Sequence, residues 1–206
     1  PEGKAENSSA FLQLLTNASG RDYQFTAMRF ADQNLLGAGV QAALGELGFW
    51  LETAYVSGDE DYFRTSIGVD YAFNENVFGM VEYHYNGAGS NDADAYLANL
   101  DNVAYKAGGV FLLGENYLIP VISWQVSTLL GLSFQTLANM DDGSLFVSAN
   151  ADYSLSDNVY LGMGVQHFAG EDFKVTGPNP LADQLQLGSE YGGNPDSIYV
   201  SLRYYF

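Results

Sequence analysis

The C-terminal stretch Ile198-Tyr199-Val200-Ser201-Leu202-Arg203-Tyr204-Tyr205-Phe206 alternates apolar and polar side chains at nearly every step. Successive side chains of a β-strand point to opposite faces, so a period of two predicts a strand with one apolar face. That face carries Ile198, Val200, Leu202, Tyr204 and Phe206, and the other carries Tyr199, Ser201, Arg203 and Tyr205. The first set suits lipid with aromatic rings near its interface, and the second suits water.

The same alternation recurs along the chain. It is regular in residues 63–73, 77–86, 145–155 and 159–166, and looser in residues 10–15, 23–30, 35–44, 49–56, 118–126 and 130–138. Many of these segments approach about ten residues, the length of a tilted strand that crosses a bilayer, whereas strands of soluble proteins average about five or six. Length and period together predict strands that span a membrane.

Composition agrees with a single domain of residues 1–206 whose strands are apolar on one face only. Charged residues are 16% of the chain, aromatic residues are 15%, and the mean hydropathy is −0.07. The net charge of −18 excludes nucleic acid as a partner, because phosphates are bound by clustered Lys and Arg. The absence of cysteine excludes disulfides and thiolate metal sites.

The longest uncharged run, residues 117–140, has the length of a membrane-spanning helix. It contains Pro120, several polar residues and many β-branched ones, so two strands joined by a turn at Ser127-Thr128 explain it better. Proline cannot donate to a strand ladder, and we therefore expect Pro120 near a rim or a bulge.

The connections sort into two groups that alternate along the chain. Residues 17–21, 45–48, 74–76, 126–128 and 156–158 are short turns, and residues 31–34, 57–61, 87–116, 139–144 and 169–196 are mostly longer and acidic. The second group holds 15 of the 25 acids: Asp32, Asp59, Glu60, Asp61, Asp92, Asp94, Asp101, Glu115, Asp141, Asp142, Glu171, Asp172, Asp183, Glu190 and Asp196. Short turns on one side and long loops on the other are typical of outer-membrane barrels.

These observations predict an all-β chain that forms a transmembrane antiparallel up-and-down β-barrel. The segments number eleven, which would start the first strand on the loop side, whereas single-chain bacterial barrels have even counts. Either residues 105–113 form a twelfth strand, or the chain is the C-terminal part of a larger barrel. We favour the second alternative slightly, because the loops then sort cleanly by length and acidity.

Charged residues within the strands are candidates to line a lumen, because ionisable groups at membrane depth are costly unless they meet water or each other. The predicted lining residues are Arg29, Glu52, Arg64, Asp70, Glu82, His84, Asp152 and Arg203. The register of residues 23–30 is the least certain of the strands that carry them. Two interpretations stand equally: a pore wall that sets solute preference, or cross-strand ion pairs that close a solute-free interior.

Other motifs have structural explanations, so we predict no cofactor, no metal and no catalytic residue. The glycine pattern of residues 37–42 lies in an alternating strand, and the acidic loops lack the glycine and glutamate of a calcium loop. Neither His84 nor His167 belongs to a recognisable triad. Residues 90–102 are expected to hold a short helix capped by Asp92, in a loop that either narrows the pore or covers a neighbouring loop.

The final strand resembles the terminal recognition signal of Gram-negative outer-membrane proteins: a last Phe206 preceded at alternate positions by Tyr204, Leu202 and Val200. This resemblance implies an integral protein of the bacterial outer membrane, inserted by the barrel assembly machinery and surrounded by lipid and lipopolysaccharide. The stretches 125–130, 139–144 and 153–158 are similar to the C-terminal half of larger proteobacterial porin-like barrels, which implies that another barrel segment or protein completes the wall.

We expect a porin-like channel for passive diffusion of small hydrophilic solutes or ions. A non-conducting barrel that acts as a sleeve or scaffold for a partner protein is the alternative, and an outer-membrane lipid-modifying enzyme ranks last. Conductance separates the first two, since a channel conducts and a sleeve does not. Co-purification of a tightly bound protein would favour the sleeve.

Overall fold

The protein is an open sheet of eleven antiparallel strands that follow one another in sequence order. The computed structural model describes residues 9–175 and 185–206. The strands of this sheet are β1 (Ala10–Ala18), β2 (Arg21–Phe30), β3 (Gln33–Leu44), β4 (Leu47–Ser57), β5 (Tyr62–Asn74), β6 (Val77–Asn86), β7 (Asn116–Gln125), β8 (Leu130–Asn139), β9 (Leu145–Ser156), β10 (Val159–Ala169) and β13 (Ser197–Tyr204). The prediction of an all-β antiparallel up-and-down fold is confirmed, and of the two strand counts left open, eleven and twelve, this sheet has eleven.

Two long loops interrupt this meander and carry its remaining elements. The loop of residues 87–115 holds a 3₁₀ turn (Ala93–Ala95), α1 (Tyr96–Asn99) and α2 (Val103–Lys106), and the loop of residues 170–196 holds β11 (Lys174–Val175) and β12 (Leu185–Gln186). None of the described helices is long or apolar enough to cross a membrane. The alternative of a twelfth strand in residues 105–113 is wrong, because α2 ends at Lys106 and residues 107–113 form no strand.

The connections separate by side as the sequence predicts. On one side lie turns of two to four residues at 19–20, 45–46, 75–76, 126–129 and 157–158. Between Val126 and Leu129, the Ser127 hydroxyl accepts hydrogen bonds from the amides of Leu129 (3.3 Å) and Leu130 (3.2 Å), which closes the predicted turn. Fourteen of the fifteen acids assigned to the opposite side lie in its connections; Asp183 falls outside the described residues.

Pro120 lies in the middle of β7, and the expectation of a rim or a bulge is wrong. It pairs with Val81 of β6 on one side, whereas the register with β8 passes from Leu118 directly to Val121 without a shift. The missing proline N–H is thus tolerated at a gap in the ladder that faces β8.

The two faces of the sheet differ in chemistry. We define the inner face as the one that carries Phe30, Val56 and Tyr62, where loop 87–115 packs through Ala104 and Val110. This contact at the loop end of the strands is the main apolar core of the described residues. The outer face presents exposed apolar side chains along the strands, among them Leu36, Ile67, Ile122, Phe134, Met163, Ile198, Val200, Leu202 and Tyr204. An apolar band of this extent marks a surface that contacts lipid or another protein.

The sheet has two edges among the described residues. β1 pairs only with β2, and β13 pairs only with β10, so each leaves one row of backbone groups without a strand partner. Of the terminal-signal residues, Val200, Leu202 and Tyr204 belong to β13 and point outward, while Phe206 follows the end of the strand and is fully exposed.

Candidate functional site: the inner face of the sheet

Seven of the eight predicted lining residues lie on the inner face. The register aligns them across neighbouring strands: Glu52 faces Ser66, Asp70 faces Gly48, Glu82 faces Gly68, and Arg203 faces Tyr160 beside Asp152 and Gly162. Directly paired residues point to the same side of a sheet, so this register places Glu52, Arg64, Asp70, Glu82, His84, Asp152 and Arg203 on a common surface.

Arg29 does not belong to that surface, and its predicted place in the lumen is wrong. It pairs with Ala10 and Asn34, on the same side as Phe25 and Leu36, and its side chain is 68% exposed. Its guanidinium lies 3.8 Å from the Asp32 carboxylate, in the connection to β3. The reason is that Met28 and Phe30 turn inward to pack against loop 87–115, which sends Arg29 outward.

Glycine allows large side chains to lie flat on this wall. A Cβ atom on Gly68 would overlap the Trp50 ring, which crosses β5 at that point, and the indole Nε1 then donates to the Glu82 carboxylate at 2.9 Å. The sequence reasoning did not single out Trp50, although its spacing of two from Glu52 placed both on one face. Trp50 and Glu82, two strands apart, are therefore joined along the wall.

The opposite part of the wall repeats this arrangement. The Tyr199 ring lies over Gly164, and its hydroxyl donates to Asn150 Oδ1 at 2.7 Å. Beside it the Arg203 guanidinium contacts the Asp152 carboxylate across Gly162. Polar side chains that bond to neighbours along the sheet lie flat on the inner face. The glycines therefore help to keep the space in front of this face free of side chains.

His84 and Arg64 lie below the loop end of the inner face. His84 Nδ1 shares a 2.8 Å hydrogen bond with the Ser66 hydroxyl, and within the described residues His84 Nε2 and Arg64 Nε have no partner. A serine protease pairs its serine with Nε2 and orients the ring through a carboxylate at Nδ1, and neither relation is present here. His167 faces outward, where its Nδ1 lies 2.8 Å from Asp196.

Charge is unevenly distributed over the wall. Strands β2 to β6 contribute Asp22, Glu52, Asp70 and Glu82 to the inner face against a single Arg64, whereas Asp152 is compensated by Arg203. Asp22, which falls between the predicted turn 17–21 and the predicted strand 23–30, joins the face because it pairs with Gln41 opposite Trp50. No cluster of three acidic or histidine ligands that suits a metal ion occurs in residues 9–175 and 185–206.

Loop 87–115 packs on the inner face at the loop end of the strands. Asp92 caps its 3₁₀ turn by accepting from the Asp94 amide at 3.1 Å, as the sequence predicts. Tyr96 is fully buried and its hydroxyl accepts from Asn139 Nδ2 on β8 at 2.9 Å, whereas Ala104 packs against β2, β4 and β5. The loop therefore spans the inner face from β2 to β8, and it also contacts the neighbouring loop through the hydrogen bond of the Leu113 amide to Glu190.

Two solved structures share this sheet. A triple mutant of the porin of Rh. blastica superposes with a TM-score of 0.58 over 97% of this chain, at 13% sequence identity. The anion-selective porin from Comamonas acidovorans superposes with a TM-score of 0.57 over 95% of this chain, at 14% identity. The chain has the porin fold.

This chain corresponds to only part of the length of the two porins. This chain covers 56% of the Rh. blastica porin and 59% of the Comamonas acidovorans porin. No protein-family model matches the sequence, and no curated protein matches it either. The likeness to the porins thus concerns the strands and their order. It does not extend to the side chains on the inner face of this sheet.

Proposed function

We propose that this chain forms the wall of a water-filled channel in a bacterial outer membrane, through which small hydrophilic solutes diffuse with a preference for cations. The observation that carries the proposal is the division of one antiparallel sheet into an apolar outer face and a polar inner face with a net excess of carboxylates. Carboxylates that line a confined aqueous path raise the local concentration of cations and repel anions.

In this proposal the wall is completed by further strands beside β1 and β13. Backbone groups left unpaired in the hydrocarbon region cost several kcal/mol each, so a spanning sheet has to close. The diameter of the closed barrel would be set by its total number of strands, because barrel diameter grows with that number. The short turns then face the periplasm, and the acidic loops face the cell exterior with its lipopolysaccharide.

Ion selectivity tests the channel. Planar bilayers that contain the full-length protein are expected to show steps of conductance and a reversal potential in a salt gradient that reports cations as the preferred ion. Neutralising Glu52, Asp70 and Glu82 to Gln, Asn and Gln should lower the cation-to-anion permeability ratio by about tenfold, since fields in such clefts reach several kT.

The matched control removes the same number of charges from exposed loops. Neutralising Asp32, Asp59 and Glu60, which are exposed in the connections β2–β3 and β4–β5, should change the ratio by less than about twofold, because salt screens exposed charges that do not line the wall. A protein that inserts and never conducts would contradict the channel. Equal effects of the two triple variants would contradict the role of the wall carboxylates.

The C-terminal residues are proposed to guide assembly. Val200, Leu202 and Tyr204 project from the outer face of the free-edged strand β13, where a receptor could pair with the backbone and contact alternate side chains. Deleting Phe206 is therefore expected to lower the yield of inserted protein in cells without lowering the stability of the protein that does insert. Heat-modifiable mobility of membrane fractions on gels would measure both, and Tyr205→Ala, a change on the other face, should leave the yield higher than the deletion does.

A further inference from the structure

One carboxylate connects the two long loops to the wall. Glu190, in loop 170–196, accepts a hydrogen bond at Oε1 from the Leu113 amide (2.9 Å) in loop 87–115. Its Oε2 accepts from the Tyr117 hydroxyl of β7 (2.6 Å) and from Asn139 Nδ2 of β8 (2.8 Å). The partners are 51 to 77 residues away in sequence, so this contact depends entirely on the folded arrangement.

Two of the three donors to Glu190 are buried side chains. Tyr117 is 0% exposed and Asn139 is 1% exposed, whereas Leu113 is half-buried. The Glu190 backbone is itself held, because its amide donates to Asp142 Oδ2 at 2.7 Å in the connection between β8 and β9. Burial raises the pKa of the Glu190 carboxyl above its usual range. A buried group that makes three hydrogen bonds is costly to leave without its partner.

Loop 87–115 is held by different contacts toward the β2 side and toward the β8 side of the inner face. Its internal shape is maintained locally, since Asn86 Nδ2 donates to Leu112 O at 2.8 Å and the Tyr105 hydroxyl donates to the same oxygen at 2.9 Å. Toward β2, β4 and β5 it is held by the apolar contacts of Ala104 and Val110. Toward β7 and β8 the Gly114 amide donates to the Tyr117 hydroxyl (2.5 Å), the Glu115 amide donates to Asp141 Oδ2 (2.6 Å), and the Tyr96 hydroxyl accepts from Asn139. Among the described residues, Glu190 is the one side chain whose hydrogen bonds link this loop to loop 170–196.

We propose that Glu190 is a latch that keeps loop 87–115 folded across the inner face, and that its loss releases the loop and widens the entrance. This inference rests on the proposed channel function, because an entrance matters only to a protein that conducts. Glu190 is a positioning residue: it acts through the loop and does not line the path of the solute.

Trypsin provides a direct readout of the loop. Lys106 is the one Lys or Arg between residues 87 and 115, so cleavage of this loop is identified by fragments that end at Lys106 or begin at Ala107. In the full-length protein in vesicles, Glu190→Ala and Glu190→Gln are expected to raise the cleavage rate at Lys106 by about tenfold or more, because cleavage tracks the population of the open loop. Glutamine retains one acceptor but turns an amide donor toward the hydrogens of Tyr117 and Asn139.

Two further variants serve as a control and as a milder change at the same contact. Glu171→Ala removes an exposed carboxylate from the same loop and should leave the cleavage rate unchanged. Glu190→Asp keeps the carboxylate but shortens its reach to the three donors, so it should give a smaller increase and still decides the question if the alanine and glutamine variants fail to fold.

The second readout is solute size. For each protein the rate at which vesicles swell is measured in a neutral trisaccharide and in a monosaccharide. We expect the ratio of the first rate to the second to be higher for the Glu190 variants than for the parent protein. Unchanged cleavage in the folded variants would overturn the latch, and increased cleavage with an unchanged size ratio would overturn its control of the entrance. Proteolysis does not depend on conduction, so a protein that never conducts would overturn the proposed function while the cleavage rates still decide the latch.

Discussion

Arginine in place of Phe134 is expected to destabilise the inserted protein by about 2–4 kcal/mol, the cost of a charge on the lipid face of a barrel near the bilayer midplane. Phe134 lies at the middle of β8, is 45% exposed, and pairs with Ile122 and Ala149 on the outer face. Neighbouring strands place only apolar side chains beside it, so an arginine there would meet no counter-charge and no water.

The adjacent residue supplies the control. Gln135 pairs with Val121 and Ser148 on the inner face, one residue further along the same strand. Gln135→Arg adds the same side chain at the same depth, and it should cost less than about 1 kcal/mol because the head group meets water. Urea unfolding of both variants in vesicles measures the difference. Equal destabilisation would mean that the two faces do not meet different solvents, and the membrane-spanning sheet would be untenable.

Adding one methyl group at Gly68 is expected to destabilise the protein by about 1–3 kcal/mol, the usual cost of overpacking. A Cβ at this position would occupy the space of the Trp50 ring, whose Nε1 donates to Glu82. Gly68→Ala should therefore push the indole away from the wall into the lumen, break that hydrogen bond and lower the conductance.

Tryptophan fluorescence reports the displacement. Trp50 and Trp124 are the two tryptophans, and Trp124 is on the outer face, so a Trp124→Phe background isolates Trp50. In that background Gly68→Ala should make the remaining emission easier to quench with acrylamide. Gly37→Ala is the matched change, since its Cβ would meet its nearest atom at 3.4 Å, and it should be neutral or stabilising by up to about 1 kcal/mol. An unchanged quenching constant in Gly68→Ala would show that the indole does not occupy the wall.

Together these variants separate three roles that one sheet combines. The proposed roles are that the outer residues contact lipid, that the glycines let aromatic and charged side chains lie along the wall, and that Glu52, Asp70 and Glu82 set the electrostatic field in front of it. The role proposed for Glu190 is separate, since it concerns the position of loop 87–115.

The strands themselves were predictable from the sequence because their signals are local. An alternation such as that of residues 197–206 appears within one strand, and a turn such as 19–20 or 157–158 is encoded by its own few residues. The face of Glu82 or Asp152 follows directly from this alternation. Residues 105–113 show the limit, since the even strand count of single-chain barrels made a twelfth strand one of two alternatives there, whereas a helix end and a loop pack inward.

By itself the sequence determined the positions of the eleven strands of the sheet, most of their inner and outer faces, and the separation of short turns from acidic loops, because each depends on neighbours in the chain. Only the tertiary structure decided that Met28 and Phe30 pack against loop 87–115 and send Arg29 outward, that Trp50 crosses Gly68 to reach Glu82, and that Glu190 joins two loops. These contacts link residues tens of positions apart, and their stability comes from burial and hydrogen bonds that exist only after the strands are aligned.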